Sequence, residues 1–312
     1  MNNMPFADAQ AAFPFVIAQG RNIETQIYQK RYPSYNYRDV VPVVTEGNQW
    51  AIGTTFFSVD VAGQAKVLSG KGTDMPFVSN TQSQASSDFW MIGSGWEWTI
   101  EEVNQAALYN TNLQATDANT AANAVEQKLY VTAMSGEPEK GRTGFVNSDE
   151  VARFDAATDL AAATPEQAVA IVNDALAQIS TQTNEIERAD TIAISPAIFR
   201  KWASQSQGAG DGTLTVLEYI RANNIYTAET GAQLRIVTNR ALAGAGDAGK
   251  DRLVAYRYDV EVLRFHLPMP RTVLAPRQTS LMGFEQGLIA RTGGTEWRLP
   301  KAAVYTDIAL EA

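Results

Sequence analysis

Only one histidine, His266, and no cysteine occur among the 312 residues. That removes most of the common catalytic sets. Thiol chemistry, disulfides and cysteine-based zinc sites are excluded, and a lone imidazole leaves no zinc site of another kind. A Ser/His/Asp triad needs its imidazole beside an activated hydroxyl. His266 sits instead in the apolar run Phe265-His266-Leu267-Pro268, and no Gly-x-Ser-x-Gly turn is present, since Gly93-Ser94-Gly95 lacks the outer spacing. A histidine in such surroundings is expected to be structural.

Two glycine-rich stretches imitate phosphate-binding loops. Gly244-Ala245-Gly246-Asp247-Ala248-Gly249 fits the dinucleotide pattern literally, but that pattern works only where it opens a helix whose N-terminus receives the pyrophosphate. Here Lys250-Asp251-Arg252 and a β-rich run follow. A flexible surface turn without organised donors is expected. Ser69-Gly70-Lys71-Gly72-Thr73 fails as a P-loop, because Gly-Lys must be followed directly by Ser or Thr. The acidic pairs Glu101/Glu102 and Glu137/Glu139 could pose as acid/base residues. The first pair lies in a helix first turn, where the macrodipole already favours carboxylates, and the second lies in a Gly/Pro loop. No catalytic, cofactor or metal residues are therefore assigned, and no cofactor is expected.

Composition narrows the class further. Hydrophobic residues make up 45% of the chain, ample for a core, whereas charged residues make up only 19%, below the usual quarter. The net charge of −9 argues against tight wrapping of nucleic acid by the folded body, which needs clustered Lys and Arg. The first residues lack the basic flank of a signal peptide. No stretch approaches the ~18 apolar residues of a membrane span.

The elements that would position these residues are unusual. Pro5, Pro14, Pro33 and Pro42 punctuate the first ~45 residues, and Tyr32-Pro33-Ser34-Tyr35-Asn36-Tyr37 carries aromatics without periodicity, as an extended arm would. Trp50 to Val61 is rich in β-branched and aromatic residues; a turn at Ala62-Gly63 and a return strand through Ala65, Val67 and Leu68 would complete a hairpin. An isolated two-stranded hairpin is marginal in water, so another surface must hold it. Thr99 and Glu102 form a capping box opening a run free of Pro and Gly to about Met134. A helix of ~35 residues would be roughly 50 Å long, with Val125 and Leu129 on its apolar stripe. Thr164-Pro165 starts a second helix. Strand Thr191–Ile194, helices Pro196–Ala203 and Val216–Ala222, and strands Leu234–Val237 and Leu253–Tyr256 then alternate as an α/β block. Beyond His266 strands return, ending with Leu288–Arg291 and Ala303–Ile308.

The ordered set Tyr32-Pro33 through Tyr37-Arg38-Asp39-Val40-Val41-Pro42-Val43, Asp60-Val61-Ala62-Gly63, Thr73-Asp74-Met75-Pro76, Gly141 to Asn147, and Gln278 to Pro300 with Arg291-Thr292-Gly293-Gly294 resembles the major capsid proteins of tailed bacteriophages. That family has the Hong Kong 97 fold and is related to encapsulin shells. The resemblance implies an α+β fold with an N-terminal arm (1–45), an extended β-hairpin loop (46–95), a peripheral domain with the spine helix (96–164), an α/β axial domain (165–265), and a return to the peripheral domain (266–312). It implies a structural protein, not an enzyme, that self-assembles as hexamers and pentamers of an icosahedral virion shell, made in the bacterial host cytoplasm. Portal protein and a separate scaffolding protein would be partners, packaged DNA would be touched only loosely, and no membrane would be involved. Inter-subunit contacts are expected from Trp50, Phe56, Phe57, Val59, Tyr32, Tyr35 and Tyr37. Some such capsids crosslink a loop lysine to a neighbour; Lys66 and Lys71 lie in the loop, but no acceptor motif accompanies them. An encapsulin-type compartment is the alternative reading.

Overall fold

Residue-by-residue alternation shapes the first half of the chain. The computed structural model describes residues 34–62, 79–108, 113–159, 163–206 and 214–309. A short helix α1 (Tyr37–Val40) and strand β1 (Val43–Val44) lead into β2 (Gly53–Ala62), which pairs antiparallel with β3 (Ser79–Asp88) from Gly53↔Asp88 to Ala62↔Ser79. The two strands form a sheet of their own. The hairpin is therefore present, but its return strand is 79–88 rather than the expected 65–68, which lies outside the described residues. Ser-Asn-Thr-Gln-Ser-Gln-Ala-Ser-Ser-Asp has no apolar alternation, so its pairing with β2 is invisible to a hydrophobic pattern.

Strand β4 (Trp90–Thr99) alternates half-buried and exposed positions along its length and crosses the boundary at 95 expected between loop and peripheral domain. Thr99 ends it and caps helix α2 (Ile100–Leu108): the Glu102 amide donates to Thr99 Oγ1 at 3.2 Å and the Thr99 amide to Glu102 Oε2 at 2.8 Å. Helix α3 (Leu113–Ser135) follows and buries Ala121, Val125, Leu129, Tyr130, Ala133 and Met134. The expected spine thus consists, among the described residues, of these two helices.

Strand β5 (Ala152–Asp155) precedes α4 (Pro165–Gln182), whose Thr164/Gln167 capping box and Pro165 at the first position set its start. Then come β6 (Thr191–Ile194), α5 (Pro196–Ser204), α6 (Val216–Ala222), α7 (Ile225–Thr230), β7 (Arg235–Thr238) and β8 (Asp251–Tyr256). The chain closes with β9 (Leu263–His266), β10 (Met269–Val273), β11 (Arg277–Gln278), β12 (Gly283–Thr292), β13 (Gly294–Trp297) and β14 (Ala303–Ile308). All these elements belong to one unit, Tyr35–Ala312.

One sheet runs β5-β14-β8-β6-β7, a second runs β1-β9-β13, and a third runs β10-β12-β11 with β4 paired to β12 over its whole length. β14 was expected with the segment 266–312 returning to the peripheral domain. It lies instead inside the sheet of the α/β block, parallel to β5 and antiparallel to β8. All six of its residues are buried, and a strand covered on both faces carries no pattern that names its neighbours.

Period two along β8 and β14 also divides the interior. Val254, Tyr256, Ala303 and Tyr305 face a core with Tyr37, Val125, Leu129, Phe145, Phe265 and Trp297. Leu253, Ala255, Val304 and Ile308 face another with Ile171, Ile179, Ile192, Trp202 and Ile220. On the first side sits a buried ion pair: Arg252 Nε and Nη2 donate to the two Asp307 carboxylate oxygens at 2.7 and 2.8 Å, and Nη1 to the Val146 carbonyl at 2.6 Å. The two side chains are 1% and 3% exposed. Full bidentate pairing is what makes a charge tolerable there.

Candidate subunit-contact surface

The hairpin leaves the body, and three arginines from distant segments grip its root. Arg291 donates to the Gln49 and Ala51 carbonyls at 2.7 and 2.9 Å and stands 5.7 Å over the Trp50 ring. Arg298 stacks on Phe56 at 4.5 Å, and Arg142 donates to the Ser86 carbonyl at 3.1 Å. Ser87 Oγ donates to Gly293 O at 3.4 Å, and the Phe89 amide to Ile52 O at 2.7 Å. Gly293 is required here, since a Cβ would meet the Phe89 ring at 2.5 Å. Sequence reasoning missed Arg142 and Arg298 and quoted Arg291 only for a resemblance. Contacts that span 56 to 242 residues leave no spacing to read.

The residues expected at subunit contacts fall into different places. Trp50 is 63% exposed and its neighbour Ile52 84%, so the root of the hairpin presents apolar surface. Phe56 is half-buried by Arg298 of its own chain. Phe57 and Val59 pair with Gln84 and Gln82 along the hairpin. Tyr32 lies outside the described residues. Tyr35 is half-buried, its ring 5.7 Å from Tyr130. Tyr37 corrects the expectation for its tract: it is 0% exposed, edge-on to Phe265 at 5.4 Å, and fully used by its own core. Aromatics without periodicity were read as waiting for a neighbour, whereas one helical turn, α1, is enough to turn Tyr37 and Val40 inward together.

A second surface lies on the β4–β12 sheet. A groove of about 630 Å³ is lined by Trp96, Glu97, Leu274, Arg277, Glu285 and Gly287 among others. Leu281 and Met282, 91% and 54% exposed, sit in the β11–β12 turn, where the Met282 carbonyl accepts from the Ile100 amide at 2.9 Å. Exposed large apolar residues gathered in this way mark contact surfaces.

The groups capable of chemistry are occupied structurally. His266 is 5% exposed; its Nε2 lies 2.5 Å from Glu296 Oε2, and its carbonyl accepts from Thr292 Oγ1 at 2.8 Å. Burial alone would raise the Glu296 carboxyl, but the bond to His266 with the charges of His266, Arg298 and Arg264 together holds it below the ordinary glutamate value. Ser195 donates to Asp251 and accepts from the Ile198 amide as N-cap of α5. Among the described residues no group of three His, Cys, Asp or Glu could hold a metal. Nor is any described helix long and apolar enough to cross a membrane.

The Gly244–Gly249 turn differs from the flexible loop expected. Its amides are organised, and the chain's own carboxylates take them: Gly244 N donates to Asp251 Oδ1 and Asp247 N to Asp307 Oδ2, both at 2.9 Å. β8 follows it, as read, with no helix for a pyrophosphate.

A hairpin sheet outside the body, a long helix across a sheet and a separate α/β block match the fold of virus-shell subunits. The structure is similar to the capsid of Myoviridae phage XM1 (TM-score 0.79, 14% identity, covering 99% of this chain and 100% of that one). It is also similar to the capsid of a native GTA particle (0.64, 12%, 98% and 100%) and to a virus-like particle from Pyrococcus furiosus (0.51, 13%, 97% and 99%). These likenesses show the Hong Kong 97-type α+β fold. No curated protein matches the chain in sequence. The family model for the major capsid protein matches residues 63–308, and the chain belongs to that family. Its role is structural: it is a capsid subunit that assembles into multimeric shells and is a component of the virion.

Proposed function

We propose that the chain forms the hexamers and pentamers of an icosahedral head enclosing double-stranded DNA, and that it catalyses no reaction. Assembly takes place in the host cytoplasm with a portal protein and a separate scaffolding protein as partners. Trp50, Phe57 and Val59, with Tyr32 and Tyr35, contact neighbouring subunits. The observation that carries this reading is the hairpin, a two-stranded sheet joined to no other strand among the described residues and gripped by its own body at the root. A ribbon of this kind does not stabilise itself, and heterologous contact between copies closes into rings. Replacing Phe57 and Val59 with Asp tests it. A soluble subunit with native circular dichroism that no longer sediments as shells is the expected outcome. Normal particles would remove the hairpin from the interface, and an unfolded subunit would place it in the core.

A further inference from the structure

The chain carries a net charge of −9, yet one surface gathers three arginines, two of them without a carboxylate partner among the described residues. Arg235 on β7 and Arg240 just after it are both exposed. Neither has an Asp or Glu oxygen within 4.0 Å among the described residues, whereas Arg38 and Arg257 do. Tyrosine rings support them instead. Arg235 lies 4.4 Å over Tyr258, and Arg240 lies 4.8 Å over Tyr130 and 5.5 Å over Tyr35. Arg38 of α1 completes the set, 5.5 Å from the Tyr37 ring and 3.8 Å from Glu126, which partly offsets it. Asp39 is the carboxylate of α1 itself.

The frame behind these guanidiniums is fixed. Asn36 Nδ2 donates to Thr238 O at 2.8 Å, Asn239 Nδ2 donates to Asn36 Oδ1 at 3.2 Å, and Tyr130 OH donates to Asn239 Oδ1 at 2.5 Å. Arg235 Nη2 donates to Asp39 O at 2.7 Å, and Tyr258 OH to Arg38 O at 3.0 Å. A guanidinium held over an aromatic face loses little freedom when it binds, and its planar fork matches a phosphate with two parallel hydrogen bonds. Neither arginine lines the groove on the β4–β12 sheet or the cavity at the hairpin root. Both guanidiniums stand on exposed surface that a charged rod can approach.

We propose that Arg235 and Arg240, backed by Tyr258, Tyr130 and Tyr35, form a contact site for the phosphodiester backbone of duplex DNA, through which each subunit touches the packaged genome. This rests on the reading of the shell as a DNA container. Repulsion from the remaining acidic surface is screened beyond about 8 Å at physiological salt, so the contact is local, weak and blind to sequence.

The test is fluorescence anisotropy of a labelled duplex of about 30 base pairs titrated with purified subunit from 50 to 200 mM salt. Two phosphate contacts give a slope of log affinity on log salt of about −2. Arg235→Glu with Arg240→Glu should lower affinity at least tenfold and flatten the slope. Arg235→Lys with Arg240→Lys should keep the slope with weaker binding. Arg200→Glu with Lys201→Glu on α5 should change affinity less than twofold. An unchanged slope in the Glu pair overturns the proposal, as does an equal loss in the α5 control. So does competition by poly-glutamate as strong as that by unlabelled duplex, which would make the partner an acidic peptide. Particle formation is followed alongside by electron microscopy: loss of particles in the Glu pair with DNA affinity intact makes the patch a subunit contact and overturns the site. Failure of the wild-type chain to form particles would count against the shell reading alone.

Discussion

Asp307→Asn removes one charge from the centre of the molecule and leaves its shape. The carboxylate accepts three hydrogen bonds, from Arg252 Nε, Arg252 Nη2 and the Asp247 amide, at 2.7, 2.8 and 2.9 Å. In asparagine one oxygen becomes an amide nitrogen that meets a donor, whichever way it is turned, so at least one bond is lost. The Arg252 guanidinium then remains charged at 1% exposure. Removing one partner of a buried pair costs about 3–5 kcal/mol. At a urea dependence of about 3 kcal/mol per molar, the midpoint of the unassembled subunit should fall by about 1–2 M, read from tryptophan fluorescence. Arg252→Met with Asp307→Leu should recover much of that loss, because no unpaired charge is left. A single-variant loss below about 1 kcal/mol would mean that water or a rearrangement of the Gly246 turn reaches the pair, and that the charge is not buried unpaired.

Gly246→Ala places a Cβ 2.6 Å from the Asp307 carboxyl carbon, so it should destabilise the subunit by about 1–3 kcal/mol in the same urea assay, and combined with Asp307→Asn it should cost less than the sum. Glu296 has a folded-state pKa below its ordinary value, so its contribution is fully present above that ordinary value and fades as pH falls through the depressed one. Glu296→Gln should therefore lose about 1.5–3 kcal/mol at pH 7, and its gap from wild type should narrow as the pH is taken from about 5 downward; a gap that widens there contradicts the assigned pair. Tyr37→Ala should cost about 3–5 kcal/mol of subunit stability, whereas a tyrosine that served only a neighbour would leave the urea midpoint unmoved.

Signals that act within one turn of chain were legible in the sequence. Thr99 with Glu102 and Thr164-Pro165 with Gln167 start helices where the capping pattern puts them, and Val125 and Leu129 face the core as their spacing requires. Pairing was legible only where apolar alternation accompanied it. β3 is polar throughout and β14 is buried on both faces, so neither announced its partner. The Tyr32–Tyr37 tract shows a further limit: Tyr37 joins the core because α1 and Phe265 close around it, and a partner so far along the chain has no local signature. The arginines at the hairpin root were silent for the same reason. A strand follows the Gly244–Gly249 turn, as the sequence reads, but the carboxylates that occupy its amides come from β8 and β14 and could not be foreseen.

Cryo-electron microscopy of particles formed by this chain tests the central claim most directly. Closed icosahedral shells are expected, in which the β2–β3 hairpin of each subunit lies on a neighbouring copy, with Arg142, Arg291 and Arg298 still holding its root. A chain that stays monomeric, or particles in which the hairpin folds wholly onto its own subunit, would contradict it.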